Sequence, residues 1–392
     1  MTEIAAEKHQ LEMELLLCCA RTEIDRQCRD RIQHIAQQNI DWDYLLKLTA
    51  WHQVTPLLFW QLQNTRAEII PQKVLEELRS ASKANAKRNF GLTGELLNLL
   101  RLFDKNAIPI MPFKGPALAE VAYKNSTLRE FLDLDILIPA EFVPQARKLL
   151  ISQGYEPQFD LADTQELIYT KLRHEHMFWH EGKQIALDVH WSLFPLNFSF
   201  SDDQNLTWKH QTKIQLSGKS VETLSAESLL LFLCFHGCKH NWSRLKSICD
   251  LAELIRSQPE IDWNWILSEA QRLGIERMLL LGLYLCQHLL DTPLPDLLDR
   301  QVESNLPIKS LASEVERLLF IVPERADSLP KNNIYLKTME SGKDKIWYYF
   351  NLIFTPTPLE WQIIPLPKWL FPLYYLIRPI RLTIKHSLGH EL

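Results

Sequence analysis

Leu132-Asp133-Leu134-Asp135-Ile136-Leu137-Ile138-Pro139 reads as a β-strand, with acids alternating with leucine and isoleucine and a proline closing the run. Successive strand side chains point to opposite faces, so Asp133 and Asp135 project together while Leu134 and Ile136 face a core. Two carboxylates this close repel, and burial makes the repulsion worse. A divalent cation relieves it. Magnesium favours one or two carboxylates, several waters and substrate phosphates. A lone Asp-x-Asp is as readily solvated charge at a strand end. The apolar strand that this pair opens weighs against that reading.

The neighbouring segments extend the pattern. Ile108–Phe113 is a short apolar run ending at Lys114-Gly115-Pro116, and a helical pattern follows over Ala117–Lys124 with proline at its first turn. Backbone N–H groups at such a turn can cradle phosphate, with Lys114 adding a point charge. Arg129 lies four residues before Asp133 and offers a bidentate grip on phosphate. Each of these cations, taken alone, is equally a solvated surface charge. Glu141–Gln153 reads as a helix closed by Gly154. His176–His180 and Gln184–Leu193 flank a hairpin turn at Glu181-Gly182-Lys183. Asp188 falls in the second of these strands, with His190 on the same face. If that strand neighbours the first, three acids converge on one site, an arrangement suited to two metal ions and in-line phosphoryl displacement. His174, Glu175 and His176, ahead of the hairpin, read as solvated polar residues within reach of the cleft.

Apolar spacings of three and four predict helices over 10–105, from about Ser225 to Ser257, and over Trp263–Leu290; the stretch from about 300 to 345 is less regular. The N-terminal helices carry no acid, base and nucleophile cluster and read as scaffold. In the second region His236 and His240 are four apart, as are Cys234 and Cys238. A zinc site is disfavoured, because positions 234 and 236 point about 200° apart on a helix. His236, Lys239 and His240 read either as lining the cleft opposite the acids or as polarity at a helix end. Asp250 is placed to orient one of the histidines.

The formal net charge of −5 argues against general nucleic-acid binding, which needs a basic field, while leaving room for one local phosphate pocket. Seven irregularly placed cysteines and the polar opening MTEIAAEKHQ predict reduced thiols, no secretory leader and a cytoplasmic setting. No run of 18 uninterrupted apolar residues occurs, so no transmembrane helix is predicted. The last fifty residues are aromatic and apolar, broken by Pro356, Pro358, Pro365, Pro367, Pro372 and Pro379, with Arg378, Arg381 and Lys385 as cations. They fit a tail packed into a groove, or a membrane-surface anchor.

Phe113-Lys114-Gly115-Pro116-Ala117-Leu118, Tyr123, Arg129, Leu132–Ile138, Leu187-Asp188-Val189-His190-Trp191 and His236-Gly237-Cys238-Lys239-His240-Asn241-Trp242 through Asp250 together resemble an uncharacterised nucleotidyltransferase family of the DNA polymerase beta-like superfamily. The resemblance runs from about Trp42 to 255. It implies an antiparallel-containing α/β nucleotidyltransferase core; together with the helical periodicities the chain reads as α+β and mainly helical, with that small core at 106–222, helical domains at 1–105 and 223–345, and the tail at 346–392. It also implies a nucleoside triphosphate donor, two magnesium ions held by Asp133, Asp135 and Asp188, and an acceptor that the family does not name. Lys114, Gly115, Arg129, His236, Lys239 and His240 would then bind the nucleotide. The superfamily's Gly-Ser turn stands here as Lys114-Gly115-Pro116, with lysine in place of the phosphate-holding serine. The rival reading is a catalytically silent nucleotide-binding or scaffold module of a biosynthetic assembly, with the membrane surface reached through the tail.

Overall fold

A computed structural model describes residues 9–65, 69–195, 206–321 and 333–387. Most of the polar N-terminal stretch, part of the less regular stretch (322–332) and the last five residues lie outside this description.

Helices Gln10–Cys19, Arg26–Ala36, Trp42–His52 and Thr55–Gln63 open the chain. Asp25 and Asp41 start two of them, their carboxylates accepting from the backbone N–H of Cys28 at 2.7 Å and of Tyr44 at 3.0 Å. A long helix, Gln72–Lys105, follows. Its first half, with Leu75 and Leu78, packs into a large helical core. Its second half, with Leu92, Leu96, Leu99 and Phe103, packs under a sheet. The helical core is shared, because Leu15, Leu48 and Leu57 join Leu231, Leu251 and Leu279 from the far end of the chain.

The sheet comprises β1 (Met111–Pro112), β2 (Asp133–Leu137), β3 (Glu156–Pro157), β4 (Glu175–His180) and β5 (Ile185–His190), in the order β1-β2-β5-β4-β3. Only β2 and β5 run parallel. One face buries Leu134, Ile136, Phe178, Leu187 and Val189. Asp133, Asp135, Asp188, His190 and Glu175 occupy alternate positions on β2, β5 and β4 and so share the opposite face.

Several segments differ from the sequence reading. The helix expected over Ala117–Lys124 begins at Gly115 and widens into a π-turn over Ala119–Tyr123, ending on Lys124 in the left-handed region. Strand β1 is only two residues long; Pro112 has no N–H to extend a ladder. The hairpin β6 (Gln211–Leu216) and β7 (Lys219–Leu224) was not anticipated. It turns on Ser217-Gly218, both with positive φ, and Thr223 Oγ1 donates to the Pro112 carbonyl at 2.7 Å.

The helices Ala226–Lys239, Leu245–Ser257, Trp263–Leu273 and Glu276–Leu290 come next, then Asp296–Ser304, Leu306–Leu319 and Ile334–Thr338. The tail forms Gly342–Phe354, Pro358–Ile363, a 3-10 turn at Lys368–Leu373 and Tyr374–Ser387. Trp361 and Tyr374 anchor it in the core beneath the sheet. Among the described residues no helix is long and apolar enough to cross a membrane. The seven cysteines are free, six of them buried.

Candidate active site

The register of the parallel pair places Asp135 directly beside Asp188, and Asp133 beside Ala186. More than fifty residues of chain separate Asp135 from Asp188; strand pairing brings them together. Burial and then the Asp135 carboxylate push the Asp188 carboxyl up to about 6. Burial and Asp135 raise Asp133 as well. Asp135 goes the other way. Burial opposes its charge, but the Lys114 ammonium and His190 outweigh that and hold it well below the usual carboxylate range.

Lys114 forms a close ion pair with Asp135 Oδ1. Its ammonium also lies 5.7 Å from the Phe113 ring centroid and 5.6 Å from that of Phe232, a cation held against two aromatic rings. Gly115 follows with φ +51°, and a Cβ there would lie 3.3 Å from the Asp133 carbonyl. Glycine is therefore needed both for the turn and for the close approach to β2.

His190 links Asp135 to β4. Its Nε2 is 3.4 Å from Asp135 Oδ1 and its Nδ1 is 3.3 Å from Glu175 Oε2. Lys239 Nζ is 3.8 Å from Glu175 Oε1, so the end of helix Ala226–Lys239 meets the acid face. The His236 and His240 rings meet at a tilt of 44°, their centroids 4.4 Å apart. Burial followed by the Lys114 charge depresses His236 well below its ordinary value, and burial with Lys239 brings His240 to about 4. Both are therefore neutral imidazoles near neutral pH, able to hydrogen-bond but not to act as cations.

Arg129 points elsewhere than the sequence reading expected. Its Nε and Nη2 donate to Asp250 at 2.7 and 2.9 Å, and Nη1 donates to the Gly115 carbonyl at 3.4 Å. Tyr123 donates to the same carboxylate at 2.8 Å. Asp250 thus orients Arg129 rather than a histidine, and Arg129 braces the Lys114-Gly115 turn. Asn85 and Asn89, on the long helix, donate to the Arg129 carbonyl at 3.3 and 2.8 Å and hold the segment leading into β2.

Two features escaped the sequence reading. Lys246, in the first turn of Leu245–Ser257, feels Arg129, Asp250 and Asp133; burial and Arg129 bring it down to about 8. A lysine at a helix start looks like solvated charge, and only its spacing of four from Asp250 hinted otherwise. The second is why His236–Trp242 has its composition. The Trp242 indole packs on Gly237, where a Cβ would lie 2.5 Å from the ring, and its Nε1 donates to Cys238 Sγ at 3.3 Å. Asn241 and Trp242 both take positive φ.

The donor set fits a hard cation in kind: three carboxylates on one face, with the buried Asp135 Oδ1 lacking any well-aligned hydrogen bond. In position it is not yet closed. Among the described residues no three His, Cys, Asp or Glu side chains surround a metal-sized volume, and Lys114 sits on Asp135.

The acid face is thus met by Lys114 at Asp135 and by Lys239 at Glu175, with Lys246 near enough for its charge to feel Asp133. Residues 38–291 match the family described as uncharacterised nucleotidyltransferase, and the chain belongs to it. That membership supports nucleotidyl transfer by a transferase. Two solved structures are similar in part. One is the lincosamide antibiotic adenylyltransferase LnuA with lincomycin bound, 18% identical, covering 36% of this chain and 84% of that one, with a TM-score of 0.28. The other is an antigenic nucleotidyltransferase-like protein from Paracoccidioides brasiliensis, 14% identical, covering 46% and 88%, with a TM-score of 0.30. No curated protein matches the chain.

Proposed function

We propose that the protein transfers a nucleoside monophosphate from a nucleoside triphosphate to an acceptor hydroxyl, releasing pyrophosphate. The observation that carries this reading is the in-register pairing of Asp135 with Asp188, with Asp133 on the same face. Magnesium held by these carboxylates would neutralise charge on the reacting phosphate and on the leaving pyrophosphate. Asp188, directly beside Asp135, would take the acceptor's hydroxyl proton as its oxygen bonds to the α-phosphorus and the bond to the β-phosphate oxygen breaks. Lys114 would exchange its contact with Asp135 for the triphosphate. Lys246 and Lys239 would add charge from the facing helices. Neutral His236 and His240 suit hydrogen bonds to base or ribose better than phosphate pairing. Arg129 acts here as a positioning residue for Gly115.

A pocket of 410 Å³ adjoins Asp188 and is lined also by Phe159, Tyr169, Arg173, His174 and Glu175. It is the natural place for the acceptor, because it opens beside the group that would receive the acceptor's proton. The test is pyrophosphate release from each of the four nucleoside triphosphates, with magnesium, in the presence of a small-molecule extract of the host cell. Release by the wild type and none by Asp135→Asn is expected. No release above the Asp135→Asn background would remove the transferase reading.

The Lys114–Asp135 contact and the open donor set favour a second reading, a silent nucleotide-binding module. Nucleotide binding that never yields pyrophosphate would select it.

A further inference from the structure

The tail carries an apolar surface that the site does not use. On helix Gly342–Phe354, Ile346, Phe350 and Ile353 follow helical spacing and are exposed. On Tyr374–Ser387, Leu376, Ile380 and Ile384 do the same, and Trp369 between the helices is 77% exposed. The two helices are tied together. Arg378 donates from Nε and Nη2 to the Leu352 carbonyl at 3.2 and 3.0 Å, closing the end of the first helix. Trp361 and Tyr374 hold the pair on the sheet core, so the stripes belong to a built element.

Charge says what covers this face. Residues 342–387 contain Lys343, Lys345, Lys368, Arg378, Arg381 and Lys385 against Asp344 and Glu360, six cations less two acids, or +4. The whole chain carries −5, so the remainder carries −9. Both acids of the segment are buried, and Glu360 is bound by Arg378 and Arg381. The apolar stripes are therefore presented with a positive field and no exposed acid. A second copy would have to bring acidic side chains to the rim of this face, whereas its centre is apolar and aromatic, with Trp369 and Tyr375 exposed. Tryptophan and tyrosine beside lysine are the residues that settle at a lipid headgroup boundary.

From the two exposed stripes and this segregated charge we infer that the C-terminal helix pair seats the protein on the surface of an anionic membrane. The helices lie in the interface, being too short and too often broken by proline to cross it. Pro358, in the segment between them, also lines the pocket beside Asp188, so the membrane-facing element borders the acceptor side of the site.

The test is co-sedimentation of the full chain with vesicles of phosphatidylcholine alone or mixed equally with phosphatidylglycerol. Each juxtamembrane lysine contributes about fivefold to partitioning at low salt. Binding to the anionic vesicles should be about tenfold or more tighter than to the neutral ones, and should weaken with salt. Trp369→Glu with Ile380→Glu, both at exposed positions, should remove it without changing the far-ultraviolet circular dichroism or the thermal midpoint. Lys343→Glu with Lys345→Glu should abolish the preference for anionic lipid. Equal partition into both vesicles, or binding unchanged in the variants, would overturn the inference. So would a lipid-free dimer, seen by light scattering, that the same apolar substitutions dissociate.

Discussion

At Asp188, burial and the neighbouring Asp135 raise the folded-state proton affinity from an ordinary 3.8 to about 6. A group whose folded value lies above its unfolded value favours the native state only while protonated. Its contribution is therefore complete below about pH 4 and is lost as the pH rises through about 6. Asp188→Asn should stabilise the magnesium-free protein by on the order of 2 kcal/mol at about pH 8, and the gain should fade near pH 4. Urea denaturation of both proteins in chelator, at the two pH values, measures it; a gain that does not depend on pH would mean that Asp188 carries no strained charge. Lys114 has the opposite sign. Lys114→Met keeps the length of the side chain but leaves Asp135 buried without its ammonium, which should cost about 3–5 kcal/mol in chelator. Magnesium should return part of that loss, because a cation can replace the ammonium. A thermal midpoint indifferent to magnesium in this variant would count against cation binding by Asp135.

At the level of elements, the alternation Asp133-Leu134-Asp135-Ile136 was legible because strand periodicity alone puts both acids on one face. Asp188 was not legible in the same way. Its strand was legible from the hairpin pattern, but its place beside Asp135 depends on a parallel pairing between distant segments, for which the resemblance of Leu187–Trp191 to a known motif was the further pointer. The Arg129–Asp250 pair spans 121 residues, and nothing local in either segment announces it. The hairpin over 211–224 carries a local signal, Ser217-Gly218 between alternating residues. Helix Ala226–Lys239 is the element whose placement can be tested most simply. Gly237→Ala would drive a Cβ into the Trp242 ring, so the helix end carrying His236, Lys239 and His240 must shift. We expect a loss of about 1–3 kcal/mol in denaturant titration, together with weaker nucleotide binding. An unchanged midpoint would mean that Trp242 does not pack on Gly237.

Across the whole molecule, the acid face lies where the small sheet meets the large helical core, and each body supplies one side of the site. Asp133, Asp135 and Asp188 come from the sheet; Lys239 and Lys246 come from helices that the helical core holds in place. The long helix Gln72–Lys105 packs into both bodies and fixes the segment before β2 through Asn85 and Asn89. Three carboxylates gathered by strand pairing into one site would bind a nucleoside triphosphate only together with a divalent cation. Calorimetric titration of ATP into the wild type, with magnesium and with chelator, tests it most directly. Clear binding with magnesium, weak or no binding in chelator, and loss of the magnesium-dependent binding in Asp135→Asn are expected. Equal affinity with and without magnesium would contradict it.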